Sequence, residues 1–212
     1  MSITGEHPLL DHLVYAVPDL TAGVADVATR TGIIPVRGGR HPGGTANYLL
    51  ALGPTSYLEI IGPDREAASG ARPRVFGLDR LTEARLAAWA VHPEDLDQTA
   101  ASARAHGYDP GEVSPLSRRT PEGTLLSWRL TRREQQSAVE LVPFLIDWGA
   151  TEHPSRSGLP QVRLLTLAAT HPDPPAVLHD LDAVGVDLDV TVGPQAALSA
   201  LLDTPNGPVT LR

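Results

Sequence analysis

Four side chains in this sequence have types suited to holding a cation or moving a proton: His12, His41, Glu59 and Glu140. Alternation along an extended segment puts Leu10, His12, Val14 and Ala16 on one face, so His12 is the single polar member of an apolar row. By the same count Glu59 shares a face with Tyr57 and Ile61, and Glu140 shares one with Ala138 and Val142. Burying a carboxylate without a partner is costly. An imidazole and two carboxylates at matching places in repeated segments therefore suggest a shared cation. One His with two carboxylates suits a hard or borderline divalent ion with open positions. Manganese, iron(II), zinc, nickel and magnesium all meet that description, and such an ion would polarise a carbonyl or enolate oxygen. His41 stands among Gly38, Gly39, Gly43 and Gly44, which read as a flexible loop; it could supply a proton shuttle or a substrate contact. Each residue also has a plainer reading. A lone His in an apolar row can be a satisfied core residue, a mid-strand carboxylate can face the wet side of a sheet, and a loop His can be solvated.

Composition removes several chemistries. The chain of 212 residues has no cysteine, which excludes disulfides, thiolate metal sites and a cysteine nucleophile. All 17 basic residues are arginine, which excludes Schiff-base catalysis by lysine and a phosphate loop of the Gly-Lys-Ser/Thr type; genomic base bias in a high-GC bacterium explains that usage. A formal charge of −8 argues against non-specific nucleic-acid binding. No stretch reaches the roughly 18 apolar residues of a membrane span, and the polar start Met1 to Pro8 lacks a signal-peptide core. The expectation is a soluble, cytoplasmic protein with a small-molecule ligand.

The elements that must position these side chains repeat. Leu10 to Val17 reads as a strand, Pro18-Asp19 as a helix start, and Leu20, Val24, Val27 and Thr31 as a helix stripe closed by Gly32. Leu86 to His92 opens a second copy, with Leu96, Ala100 and Ala103 on its helix and Gly107 at the end. Leu164 to His171 opens a third, with Asp173 as N-cap, Val177, Leu181 and Val184 as stripe, and Gly185 closing it. Further strands are predicted over 46–52 and 56–61 in the first copy, 125–131 and 138–142 in the second, and 189–192 and 209–211 in the third. The run from Leu198 to Leu202 fits either helix or strand. Glu66 to Arg74 and Glu152 to Pro160 read as surface linkers. His92 and His171 each precede a proline at a helix start and read as turn chemistry, His153-Pro154-Ser155 reads as a structural loop or one that closes over the cavity, and Asn47 and Trp128, at like places in two copies, could line a pocket.

Leu10-Asp11-His12-Leu13-Val14-Tyr15, Tyr57-Leu58-Glu59-Ile60-Ile61-Gly62 and Val142-Pro143-Phe144-Leu145-Ile146-Asp147-Trp148-Gly149 resemble the glyoxalase-like domain family of the vicinal oxygen chelate superfamily. The resemblance implies an α+β fold of tandem βαβββ units, forming a half-open mixed β-barrel with helices outside. It would be one domain over residues 1–212, with units at about 8–64 and 84–149 and a partial third at about 162–212. It implies a metal inside the barrel, held here by His12, Glu59 and Glu140, with Glu140 also able to detach and act as base, and His41 as a second catalytic candidate. The second unit carries Ala87 or Ala88 where the first has His12, which removes one ligand of a full glyoxalase site. The implied function is a divalent-metal-dependent lyase, isomerase or dioxygenase acting on a small oxygenated substrate. The alternative is a metal-free protein that binds a small molecule or antibiotic. An unpaired third unit is compatible with a homodimer.

Overall fold

The computed structural model describes residues 3–4, 9–67, 73–133 and 139–212. Two of its helices begin as the sequence dictates. Asp19 caps α1 (Leu20–Thr31) by accepting from the Ala22 N–H at 3.2 Å, and Asp95 caps α2 (Leu96–Ala105) by accepting from the Gln98 N–H at 2.9 Å. Each cap satisfies an otherwise orphaned helix donor and stabilises the helix by about 1 kcal/mol. Gly32 ends α1 in the left-handed region. Asp173 occupies the cap position of α3 (Pro174–Ala183), but its side chain makes no capping hydrogen bond there.

The short strand β1 (Ile3–Thr4) precedes the repeats. The first unit holds β2 (Leu10–Ala16), β3 (Val36–His41), β4 (Thr45–Ala51) and β5 (Tyr57–Pro63). The second holds β6 (Arg85–Val91), β7 (Glu112–Arg119), β8 (Leu125–Arg132) and β9 (Phe144–Asp147). Together they make a mixed barrel in the order β2-β5-β4-β3-β7-β8-β9-β6. The pairs β2/β5 and β6/β9 are parallel, and the other pairs are antiparallel. The half-open barrel expected from the sequence is closed at β3 and β7 by a single register pair, Arg40 with Arg119. Gly39 makes that approach feasible. Its φ is +151°, and a Cβ there would lie 2.3 Å from the Arg119 carbonyl oxygen.

The C-terminal segment also runs strand, helix, three strands, as β10 (Arg163–His171), α3, β11 (Asp189–Val192), β12 (Ala197–Thr204) and β13 (Gly207–Leu211), but it pairs differently from the barrel units, with β10 between parallel β11 and antiparallel β12. The ambiguous run from Leu198 to Leu202 is strand. This sheet shares one core with the outer barrel wall, where Leu13, Tyr15, Trp89 and Val91 cluster with Leu167, Leu198, Ala200 and Leu211. The covered outer face explains why β2 is buried along its whole length.

Two expected elements differ. Gly38, Gly39 and His41 of the glycine-rich segment lie in the strand β3, and Pro42 to Gly44 form the turn into β4. Residues 139–142 are not strand; the closing strand of unit two begins at Phe144. The Trp89 indole donates to the Leu141 carbonyl at 2.7 Å, and Pro143 has no N–H for a ladder. Regular pairing therefore starts one residue later. Ala138, the connection at 134–138 and most of the linker between Glu66 and Arg74 (residues 68–72) lie outside the described residues.

Candidate functional site

The interior of the barrel is a cavity of about 820 Å³. His12 lines it, and β2 carries a bulge just before His12. Leu10 pairs with Val91 and His12 with Ala90, leaving Asp11 as the extra residue. Asp11 Oδ1 lies 2.6 Å from His12 Nδ1. Its Oδ2 accepts from the Trp148 indole at 2.9 Å and faces His153 Nε2 at 3.1 Å, with His92 Nδ1 at 3.7 Å. Burial pushes the Asp11 carboxyl up, but the hydrogen bonds from His12 and His153 outweigh it and hold the group well below the carboxylate range. Asp11 is therefore an anion, and His12 donates its Nδ1–H to it. That leaves Nε2 of His12 on the cavity side, toward Glu59.

Across from His12 stands Glu59, placed on β5 by the parallel register that sets it beside Val14. Its Oε2 is 4.0 Å from His12 Nε2, and its Oε1 is 3.9 Å from His41 Nε2. Asn47 Nδ2 donates to Oε1 at 2.5 Å, while Asn47 Oδ1 is buried with no hydrogen-bond partner among the described residues. His41 is fixed by a 2.9 Å contact between its Nδ1 and Thr45 Oγ1. Burial lowers the His41 pKa below the ordinary value, opposed by Glu59, so the ring is neutral at pH 7. Tyr57 stacks on His12 at 4.7 Å, and Phe144 meets the same ring edge-on at 5.4 Å. Burial, Asp11 and Glu59 push the Tyr57 phenol well up, so it stays protonated.

The second unit answers these groups with apolar ones. Counted from the caps Asp19 and Asp95, Ala88 stands where the first unit has His12. Val14 pairs with Glu59, and the corresponding Ala90 pairs with Phe144, so Phe144 holds the place of Glu59. Ala88 and Phe144 both line the cavity. Glu140, which the sequence aligned with Glu59, is displaced because residues 139–142 do not pair as a strand. Its N–H donates to the Ala87 carbonyl at 2.8 Å, and it lines the cavity where its charge acts on Tyr108 and Arg133.

The structure thus brings His12, Glu59 and His41 together and sets Glu140 on another part of the wall. Two contributors went unrecognised in the sequence, Asp11 and Arg118. Asp11 carried a signal, since a carboxylate inside a buried apolar run needs partners. Arg118 carried none. His92, read as a turn residue, and His153, read as part of a loop, surround Asp11; His171 does serve its turn, with Nδ1 2.8 Å from the Asp173 carbonyl.

The glyoxalase-like domain family matches residues 10–185. The chain belongs to the glyoxalase-like domain family. Among solved structures, a hypothetical protein from Staphylococcus aureus is similar at 16% identity and TM-score 0.61, over 95% of this chain and 83% of that one. Methylmalonyl-CoA epimerase from Mycobacterium tuberculosis is similar at 19% identity and TM-score 0.41, over 65% and 85%. A mutant of 4-hydroxymandelate synthase from Streptomyces coelicolor follows at 14% identity and TM-score 0.49, over 100% and 63%. These likenesses concern the fold alone. No curated protein matches the sequence. No described helix is long and apolar enough to cross a membrane.

Proposed function

We propose that the barrel cavity binds a small oxygenated molecule and moves a proton on a carbon beside its carbonyl, as an isomerase or lyase. The observation that carries this reading is the 2.6 Å Asp11–His12 contact, which fixes the His12 tautomer and presents Nε2 to the cavity 4.0 Å from Glu59. His12 takes the proton and returns it at a neighbouring position. Tyr57 and Phe144 pack on its ring and limit water there. Neutral His41, on the other side of Glu59, serves as the second proton-handling group.

A divalent ion would be held by His12, Glu59 and His41, with the unpartnered Asn47 Oδ1 nearby and Glu140 as the further carboxylate of the cavity wall. Two imidazoles and a carboxylate are a known donor set for such ions, which would polarise a substrate oxygen. Among the described residues, however, no group of three His, Asp or Glu side chains is arranged to hold a metal. The residues fit by type and not by arrangement, so no step is assigned to a metal.

A second reading rests on where the aromatics lie. Aromatic residues are 4% of the chain, yet both phenylalanines, Trp128, Trp148, Tyr57 and Tyr108 line the cavity. An apolar, aromatic wall of this kind suits a protein that sequesters a small molecule without reacting with it.

The test is deuterium uptake from D2O into small carbonyl compounds, followed by NMR, with wild type and His12→Asn, under chelator and then with each divalent ion. Uptake under chelator that is lost in His12→Asn supports proton transfer. Uptake only with added ion supports the metal-dependent form. Ligand-induced thermal stabilisation with no uptake in any condition supports the binding protein.

A further inference from the structure

Resting on the proton-transfer reading and narrowing its substrate, we propose that the ligand is a small carboxylate whose anionic end docks on Arg118. Arg118 lies on β7, is only 5% exposed, and lines the cavity. Among the described residues its one hydrogen bond runs from Nη1 to the Gly38 carbonyl. A guanidinium has five N–H donors in a planar fork. Among the described residues no carboxylate lies within 4.0 Å of it, although its charge is felt by His41, Tyr57 and Glu59. Glu59, the carboxylate acting on it, is already engaged by Asn47 and flanked by two imidazoles. A buried cation with one carbonyl partner is expensive unless something else neutralises it. The cavity it faces is the place for that partner.

The surroundings agree in sign. Arg74, Arg80, Arg132 and Arg133 also line the cavity, against the carboxylates Glu59, Asp79 and Glu140. This local positive excess occurs in a chain of formal charge −8. Clefts lined by one sign of charge draw in ligands of the other. One deep arginine matches one planar carboxylate by its fork geometry. The outer arginines steer the anion inward, and the aromatic wall takes the remainder of the molecule.

Arg118 has a competing structural role, because its bond to Gly38 crosses the narrow β3–β7 seam. The experiment therefore starts with unmutated protein. Pyruvate, 2-oxobutyrate and 2-oxohexanoate are titrated against their neutral methyl esters and against inorganic phosphate, read by the fluorescence of Trp128 and Trp148. The acids are expected to bind, the esters to bind much more weakly, and Arg118→Gln to weaken the acids by about 30-fold or more while leaving the esters unchanged. Esters that bind as well as the acids, phosphate that binds more tightly than every acid, or no saturation by any acid would overturn the proposal. Melting temperatures separate the roles: a lowered melting temperature in Arg118→Gln without loss of acid-over-ester preference would make Arg118 structural only. His12→Asn distinguishes the two levels of the reading. Acid binding kept and deuterium uptake lost supports both. Acid binding kept with uptake unchanged overturns the assigned base but not the anion site.

Discussion

Asp11 and His12 are consecutive in the chain, yet their side chains meet at 2.6 Å because Asp11 is the unpaired residue of a bulge. On a regular strand neighbouring side chains point to opposite faces. The bulge lets a buried carboxylate orient the imidazole beside it, without a contribution from a distant segment. Asp11→Asn keeps the size of the group and removes the charge that selects the Nδ1–H tautomer. The expected result is a loss of about 10–100-fold in deuterium uptake with little change in ligand affinity. An equal loss of both would mean that Asp11 only holds the cavity together.

The same carboxyl governs acid stability. Its folded pKa lies below the ordinary value of 3.8. Its contribution is therefore fully present above pH 3.8 and is lost as pH falls below that value, where the unfolded chain takes up a proton that the folded chain resists. In acid titrations followed by circular dichroism, Asp11→Asn should have a shallower loss of stability below pH 4 than wild type.

His41 titrates in the opposite setting from a surface histidine. Burial holds it below the ordinary 6.5, so the folded ring resists protonation. The sign follows: its contribution to stability is intact above pH 6.5 and declines as pH falls through that value toward the folded pKa. An NMR titration of the imidazole Cε1–H should place its midpoint below 6.5, and His41→Gln should flatten the stability profile between pH 6.5 and the acid range.

What could be read from the sequence was local. Asp19, Asp95, Gly32 and the periodic stripes mark α1 and α2 because caps and periodicity are short-range features. His12 and Glu59 stood out as polar breaks in apolar runs. What could not be read depended on register. Whether Glu140 or Phe144 takes the second-unit place of Glu59 turns on where β9 starts, which a tryptophan indole and a proline decide. Arg118 sits on a strand of alternating polar residues, Glu112 to Arg119, where nothing local separates it from Arg119. Only barrel closure turns Arg118 inward and leaves Arg119 exposed.

Closure itself makes a prediction. The β3–β7 seam has one register pair, and the Gly39 backbone nearly touches that of Arg119. Gly39→Ala places a methyl group where the Arg119 carbonyl lies, at a φ that side chains avoid. The expected cost is about 2 kcal/mol or more, read as a lowered melting temperature. Gly43→Ala is the control, since a Cβ there meets nothing within 4 Å. It should change stability by less than about 0.5 kcal/mol.

The asymmetry between the two barrel units can be tested by partly restoring what the second lacks. Phe144 holds the place of Glu59 and already touches His12, with ring centroids 5.4 Å apart. Phe144→Glu brings a second carboxylate to the face of His12 that the aromatic ring now covers. Together with Glu59 this supplies one imidazole and two carboxylates in a shared cavity, a donor set that suits a hard or borderline divalent ion. The expected outcome is a gain of manganese or zinc binding over wild type in calorimetric titrations, abolished by adding His12→Ala. The cost of an extra carboxylate beside Glu59 should appear as lower stability without metal, recovered when the ion is added. If wild type binds the ion as tightly as Phe144→Glu, the missing second-unit carboxylate is not what limits the site.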